Sequence, residues 1–344
     1  MTQERNKKTV FKRILLIVLI IFLILCIGLA SSFFVLRHNG EKKLLGKQSK
    51  LSANSSVAEL VLDDGMTIVY NGTTYYYNED AVSILFMGVD KTSISDKATF
   101  GHNGQADTIF VANIDTKTGK IKILPIQRES MVDINCYSVN GNFSGTEKAQ
   151  ICLAYAYAEN GENACENVSR SVSRLLYGVE ISAYYSIDLE GFKTLTDKLG
   201  GVILTSIEDI PEYNIKKGDI LNLKGENAEN YIRSRSYTLL GNSYREQRQK
   251  QFLNALILKA RDKVKNNISC VPSLYNSVKN YSVTDLSLDS ITYLVSCVIT
   301  NGINTDIEYY SYTGDYKLGE FAEFYYNSSS VYEAVLNVFY KTEK

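Results

Sequence analysis

Asp90, Asp107 and Arg128 are the residues of this chain whose types and spacing first suggest chemistry. Each stands at the end of a short apolar run: Ser83 to Val89 closes on Asp90, Thr108 to Ile114 is entered from Asp107, and Lys120 to Ile126 leads through Gln127 into Arg128. Runs of this length, β-branched and bounded by Gly, Asp, Asn and Pro, predict buried strands. The turn residues from Asp115 to Gly119 predict that the second and third strands pair as a hairpin. If the first and third strands leave the sheet at one edge, Asp90 and Arg128 project into one cleft, and Asp107 joins them at the entry of the antiparallel middle strand. Carboxylates without His or Cys beside them suit a hard, oxygen-loving cation such as Mg²⁺ or Mn²⁺, and a guanidinium matches a phosphate bidentately. The spacing leaves another outcome open, in which these are three strand-end charges in solvent.

A second charged constellation occupies residues 225–252. On a helix beginning near Tyr244, Arg245, Arg248 and Gln249 stand at i, i+3 and i+4 and share a face. Arg233 and Arg235 share one only if the chain is extended there. With Glu246 the one carboxylate between Arg233 and Arg248, the group calls for an anionic partner or forms a solvated basic helix face.

The rest of the chain must position these groups. At 344 residues it can build one large or two small domains, and a net charge of −1 gives no global reason to expect nucleic acid. Six scattered cysteines without a CxxC, and two histidines, supply neither a disulfide framework, a zinc site nor a Ser-His catalytic pair. No Walker A or G-x-S-x-G sequence occurs. Ile14 to Leu36 is an uncharged apolar run of 23 residues behind Lys7, Lys8, Lys12 and Arg13, which predicts a transmembrane helix after a cytoplasmic tail at 1–13. A cleaved signal peptide with Ala30-Ser31-Ser32 is its rival. Residues 37–59 are expected to be a linker and 60–344 the folded domain.

Within that domain Asn71-Gly72 predicts a hairpin over 66–80 leading into the sheet. Residues 133–146 have loop composition, and helices are expected over 147–159 and, ended by Gly178, over 166–177. A strand at 183–188, a helix at 189–199 and a strand at 202–206 continue the alternation, and helices at 288–300 and 329–340 are capped by serines. Strands alternating with helices predict a layered α/β domain. The C-terminal third offers no evident chemistry.

Several of these segments together resemble the LytR-CpsA-Psr family of bacterial cell-envelope proteins: ILFMGVD (84–90), ADTIFVANID (106–115), the segment around Arg128, LAYAYAENG (153–161), YYSIDLEGFKTLTDKLGGV (184–202), KGENAENYIRSRS (224–236) and YREQRQKQF (244–252). The resemblance implies an α/β/α domain with a central mixed sheet and a long apolar pocket, anchored by one N-terminal helix and lying outside the cell of a Gram-positive bacterium. It implies transfer of a teichoic acid or capsule-like glycopolymer phosphate from a polyprenyl-pyrophosphate carrier to a peptidoglycan hydroxyl. Carried over by position, Asp90 and Asp107 would hold the metal, with Arg128 beside them, and Arg233, Arg235, Arg245, Arg248 and Gln249 would bind the pyrophosphate. This chain departs from the family pattern at Gln105, where an Arg is usual, at Gln127, at Glu129 and at Asn242. A guanidinium lost at position 105 lowers the charge available to the phosphoryl group, and Lys91 or Lys97 is a candidate to replace it. The alternative is a non-catalytic envelope protein that binds polyprenyl precursors or regulates transcription.

Overall fold

The computed structural model describes residues 31–45, 60–62, 65–91, 104–138, 140–158, 161–234, 241–301, 307–319 and 321–342. A helix, α1 (31–45), comes first. Strands β1 (Leu60–Leu62), β2 (Thr67–Tyr70) and β3 (Thr73–Tyr77) then form a small antiparallel sheet turning at Asn71-Gly72. The chain passes from it into β4 (Ala81–Val89), an unbroken apolar run of the kind buried on both faces.

β4 centres a six-stranded mixed sheet. Its neighbours are the antiparallel β5 (Ala106–Asp115) and the parallel β9 (Ala183–Asp188). β6 (Ile121–Ile126) pairs antiparallel with β5, β12 (Ser282–Thr284) lies outside β9, and β13 (Ile307–Tyr309) runs parallel outside β6. Turn chemistry fixes the β5–β6 connection, since Asp115 Oδ1 accepts the N–H groups of Lys117 at 3.0 Å and Thr118 at 2.8 Å.

Because side chains alternate along a strand, the sheet has two independent faces. Leu85, Met87, Val111, Ile109, Leu124 and Ile126 share one and pack fully buried under α3 (Gly161–Leu175) and α9 (Ser328–Phe339). The other face meets α6 (Gly241–Asn266) and α8 (Leu288–Asn301) and is filled unevenly. At the start of β4, Val82 and Ile84 pack on Tyr293 and Cys297 of α8 and on Leu44 of α1. Toward its end Phe86, Phe110, Pro125 and Tyr185 are only half-buried, and Thr108 is exposed. The arrangement is the expected α/β/α layering around a mixed sheet.

Several expectations are corrected. Residues 133–150 are neither loop nor helix: β7 (Met131–Tyr137) and β8 (Phe143–Gln150) form an antiparallel hairpin off the main sheet. β8 exposes most of its polar side chains, so it lacks the apolar alternation that marks a strand. Only a short helix, α2 (Leu153–Ala156), follows it. The strand expected at 202–206 exists as β10 (Val202–Thr205), but after α4 (Leu189–Leu199) it pairs with β11 (Ile220–Leu223) in a separate ribbon. Helix α9 is capped by Asn327, whose side chain accepts from Ser330 N–H at 3.0 Å, and not by a serine. The C-terminal β16 (Tyr340–Lys341) returns to pair with β3.

Residues 37–45, within the segment expected to be a linker, are helical and docked. Arg37 Nε donates to Ser296 Oγ at 3.0 Å and its guanidinium lies 5.7 Å from the Tyr293 ring. A Cβ on Gly40 would stand 2.0 Å from the Asp289 carbonyl oxygen, so this close crossing of α1 over α8 requires glycine. Among the described residues no helix is long and apolar enough to cross a membrane. The span expected at 14–36 lies outside them, except for its last six residues, which begin α1.

Candidate active site

Antiparallel pairing of β4 with β5 and of β5 with β6 brings the end of β4, the start of β5 and the end of β6 to one edge of the sheet. Asp90, Asp107 and Arg128 therefore meet, lining a cleft of about 380 Å³ with Gly104 and Gln105. Asp107 gains an additional device. Pairing steps from Gly88↔Thr108 to Val89↔Ala106, which leaves Asp107 as the extra residue of a β-bulge. A bulge re-aims a side chain out of the strand's alternation. Beyond it, Asp90 N–H donates to the Gln105 carbonyl at 3.1 Å. Gly104, with φ +82°, turns the chain into β5 where a side chain would crowd Val89 and Lys91.

Arg128 is held through both backbone and side chain. Ser130 N–H closes a turn onto the Gln127 carbonyl at 3.0 Å, and the Arg128 carbonyl accepts Cys152 N–H at 3.2 Å. The Cys152 carbonyl in turn accepts Ala106 N–H at 3.4 Å, so the β6 exit and the β5 entry are clipped together. The Tyr312 hydroxyl supports the turn, 3.0 Å from both Gln127 N and Ser130 Oγ. The Arg128 guanidinium donates from Nη1 to Asp107 Oδ1 and from Nη2 to Gln105 Oε1 at 2.7 Å, and Glu129 Oε1 lies 3.4 Å from its Nε.

Burial works against the Arg128 charge, yet Cys152, Asp107 and Glu129 outweigh it and hold its pKa above the ordinary arginine value. Burial also pushes the Cys152 thiol up to about 11, so it is uncharged at neutral pH. Asp107 and Glu129 are thus the working countercharges. Gln105 serves here as a neutral acceptor for Arg128.

Beside Asp90, Arg233, the last residue of α5 (Gly225–Arg233), places Nη2 3.5 Å from Asp90 Oδ1 and Nη1 2.9 Å from Glu229 Oε1. Arg248 is placed differently. It is 1% exposed, bonded to Glu208 Oε1 and the Ser234 carbonyl, with the Tyr231 ring 5.7 Å away. It joins the start of α6 to the end of α5 and to the segment after β10. Its helix spacing foretold a shared face with Arg245, which is half-buried, but not this burial. The Gln249 side-chain amide donates to the Ile232 carbonyl at 3.3 Å, a further α5–α6 tie. Arg235 and Lys97 lie outside the described residues. Sequence reasoning missed Glu208, Glu229 and Cys152. Glu229 stands at i−4 from Arg233, a helical pairing signal; the other two had none.

The profile of the LytR_cpsA_psr family matches residues 38–339. Among curated proteins, the polyisoprenyl-teichoic acid–peptidoglycan teichoic acid transferase TagV of Bacillus subtilis (strain 168) is 32% identical over 184 residues, which cover 51% of this chain and 42% of that protein. The corresponding transferase TagU of Halalkalibacterium halodurans is 27% identical over 69% of this chain and 71% of its own. This chain therefore spans less than half of the TagV length, 42%. Among solved structures, B. subtilis TagV superposes with a TM-score of 0.57 at 24% identity, covering 75% of this chain and 96% of that one. A structure described as TagT bound to LIIa-WTA gives 0.55 at 20% identity over 76% and 90%. At these identities the structural matches establish the fold.

Proposed function

From the premise that the chain belongs to the LytR_cpsA_psr family, whose profile spans residues 38–339, we propose that it is a transferase moving a teichoic acid or similar anionic glycopolymer from a polyprenyl-pyrophosphate carrier to a peptidoglycan hydroxyl. The observation that carries this reading is a charged cleft at the end of an incompletely filled apolar sheet face. The half-buried Phe86, Phe110, Pro125 and Tyr185 lie on the α6 side of the sheet, directly below the strand ends that bear Asp90, Asp107 and Arg128. A lipid pyrophosphate has this polarity: an ionic head that needs cations and an apolar tail that needs a dry surface.

Phosphoryl transfer asks mainly for in-line positioning and neutralisation of charge. Arg128, in the cleft, and Arg233, beside Asp90, supply guanidiniums to bind and orient the pyrophosphate oxygens, and Asp107 and Gln105 hold Arg128 in place. Asp90 and Asp107 are the residues that would hold Mg²⁺ or Mn²⁺. Among the described residues no larger group of His, Cys, Asp or Glu competes for a metal, and two carboxylates suit an ion that completes its shell with water and substrate phosphate. Bound there, the ion would neutralise charge on the pyrophosphate and its leaving group. The apolar run from Ile14 to Leu36 supports a single membrane anchor with the domain outside the cell, where peptidoglycan is found.

The test is transfer by the full chain from a polyprenyl-pyrophosphate-linked glycopolymer to peptidoglycan in the presence of Mg²⁺. Asp107→Ala is expected to abolish turnover while leaving the melting temperature near that of wild type, because a strand-end charge contributes little to the core. Normal turnover by Asp107→Ala would overturn the metal assignment. Donor binding without turnover in the wild type would favour a precursor-binding or regulatory protein.

A further inference from the structure

The C-terminal hairpin beside the cleft bears an aromatic platform that the reading above does not use. It consists of β14 (Gly314–Leu318) and β15 (Ala322–Tyr326), with Tyr316 opposite Phe324. Its base is bound to the Arg128 turn: Phe324 N–H donates to the Glu129 carbonyl at 2.9 Å, and the Tyr316 hydroxyl lies 3.5 Å from Gln127 Oε1. The Tyr316 ring is held 4.9 Å from Phe324, whose ring is tilted against that of Tyr312, the residue that supports the turn, at 6.0 Å. Even so, Tyr316 is 53% exposed, and Leu318, on the same side of the hairpin, is 89% exposed. An aromatic face ordered in advance binds without the loss of side-chain freedom that usually opposes association.

We propose that Tyr316 is the stacking platform for the acceptor sugar, with Leu318 extending it. The proposal rests on the transferase reading for its place in the reaction. The in-line requirement sets the side. Phe324 and Tyr312 belong to the sealed core layer under α3 and α9, whereas the incompletely filled apolar surface lies on the opposite, α6 side. A leaving lipid phosphate on the α6 side puts the attacking hydroxyl on the other side of phosphorus, and the hairpin stands there. In the transfer, the acceptor oxygen forms the new P–O bond as the bond to the lipid phosphate breaks, and the hydroxyl proton passes to water.

The surface chemistry favours a neutral saccharide over the anionic polymer. Neighbouring side chains alternate across a strand, and Lys317 accordingly lies on the far side of the hairpin, 4.3 Å over the Tyr325 ring. The Tyr316 side therefore presents an aromatic ring, an aliphatic side chain and the Gln127 amide. A pyranose places polarised C–H groups on one face, which the negative face of an aromatic ring attracts, and an amide can bond its hydroxyl or acetamido groups.

Steady-state transfer by the full chain, with donor and acceptor varied separately, tests this. Tyr316→Ala is expected to raise KM for the peptidoglycan glycan about two- to tenfold, with donor KM and kcat at saturating acceptor unchanged and with Tyr316→Trp restoring it. An unchanged acceptor KM, or an effect falling on the donor, overturns the platform. Titration with an uncharged β-1,4-linked N-acetylglucosamine oligosaccharide, followed by NMR, separates the two readings. If the wild type binds it, Tyr316→Ala binds it about two- to tenfold more weakly and no transfer occurs, the platform stands and the transferase reading falls. Absence of binding by the wild type overturns the platform whatever the transfer assay gives.

Discussion

The two faces of the central sheet are built from the same strands and obey different rules. Leu85 and Phe86 are neighbours on β4, yet Leu85 lies in a closed layer under α3 and α9, while Phe86 stacks on Phe110 with centroids 5.1 Å apart and remains half-buried under α6. A close-packed layer holds the fold in one state. A layer of large, flat, incompletely covered side chains leaves apolar surface for something else to cover. The ionic residues stand at the strand ends where the two layers meet.

This contrast predicts its largest effect on stability. Leu85→Ala should destabilise the domain by about 2–5 kcal/mol, as for other fully buried leucines, while Phe86→Ala should cost less, about 1–2 kcal/mol, since its side chain is only half-buried. Urea denaturation of the two variants measures the difference, and equal losses would show that both faces are sealed. Phe86→Ala should instead weaken binding of the lipid-linked donor.

Enlarging a residue sharpens the comparison in the other direction. Ile257, on α6, packs half-buried against the sheet. Ile257→Phe should be nearly neutral for folding and raise KM for a long-chain polyprenyl donor about three- to tenfold, with a short-chain donor unaffected. A comparable enlargement at Val111, on the sealed face, should cost about 1–3 kcal/mol of stability. If chain length makes no difference to the Ile257→Phe effect, the α6 face does not receive the tail.

The smallest expected effect lies at the junction of the faces. Gln105→Ala removes one acceptor from the Arg128 guanidinium, and the loss of a partly exposed bond of that kind is worth about 1 kcal/mol, or roughly fivefold in rate. Replacing Gln105 by arginine would add charge beside the phosphoryl group, but it also removes that acceptor and sets a second guanidinium beside the first. Assays of both variants with one donor decide whether position 105 acts through charge or through the placement of Arg128.

The central cluster was legible because each of its residues ends an apolar run and two antiparallel pairings leave those ends one edge to share. The β-bulge that frees Asp107 was not, since a one-residue slip leaves no mark in a run of β-branched residues. The burial of Arg248 was not legible for a related reason: helical spacing shows which residues share a face, but its counter-ion, Glu208, lies forty residues away in sequence. The polar strand β8 was invisible to periodicity because both its faces meet water for most of its length. The C-terminal hairpin, passed over as chemically bare, takes its interest from a backbone bond to Glu129 that no local pattern encodes.

The contact of Gly40 with Asp289 bears on how the domain is carried. Had residues 37–45 been a slack tether, the cleft could have swung through a wide range of directions relative to whatever precedes it. Docked against α8, with Leu44 between Val82, Ile84 and Tyr293, α1 makes the chain's approach to the domain a rod set at a fixed angle. It also makes the helix part of the cooperative unit that melts with the sheet. A protein cut at residue 46 would lose a wall of its own interior, and the natural boundary of the folded body lies ahead of the segment that composition alone marks as a spacer.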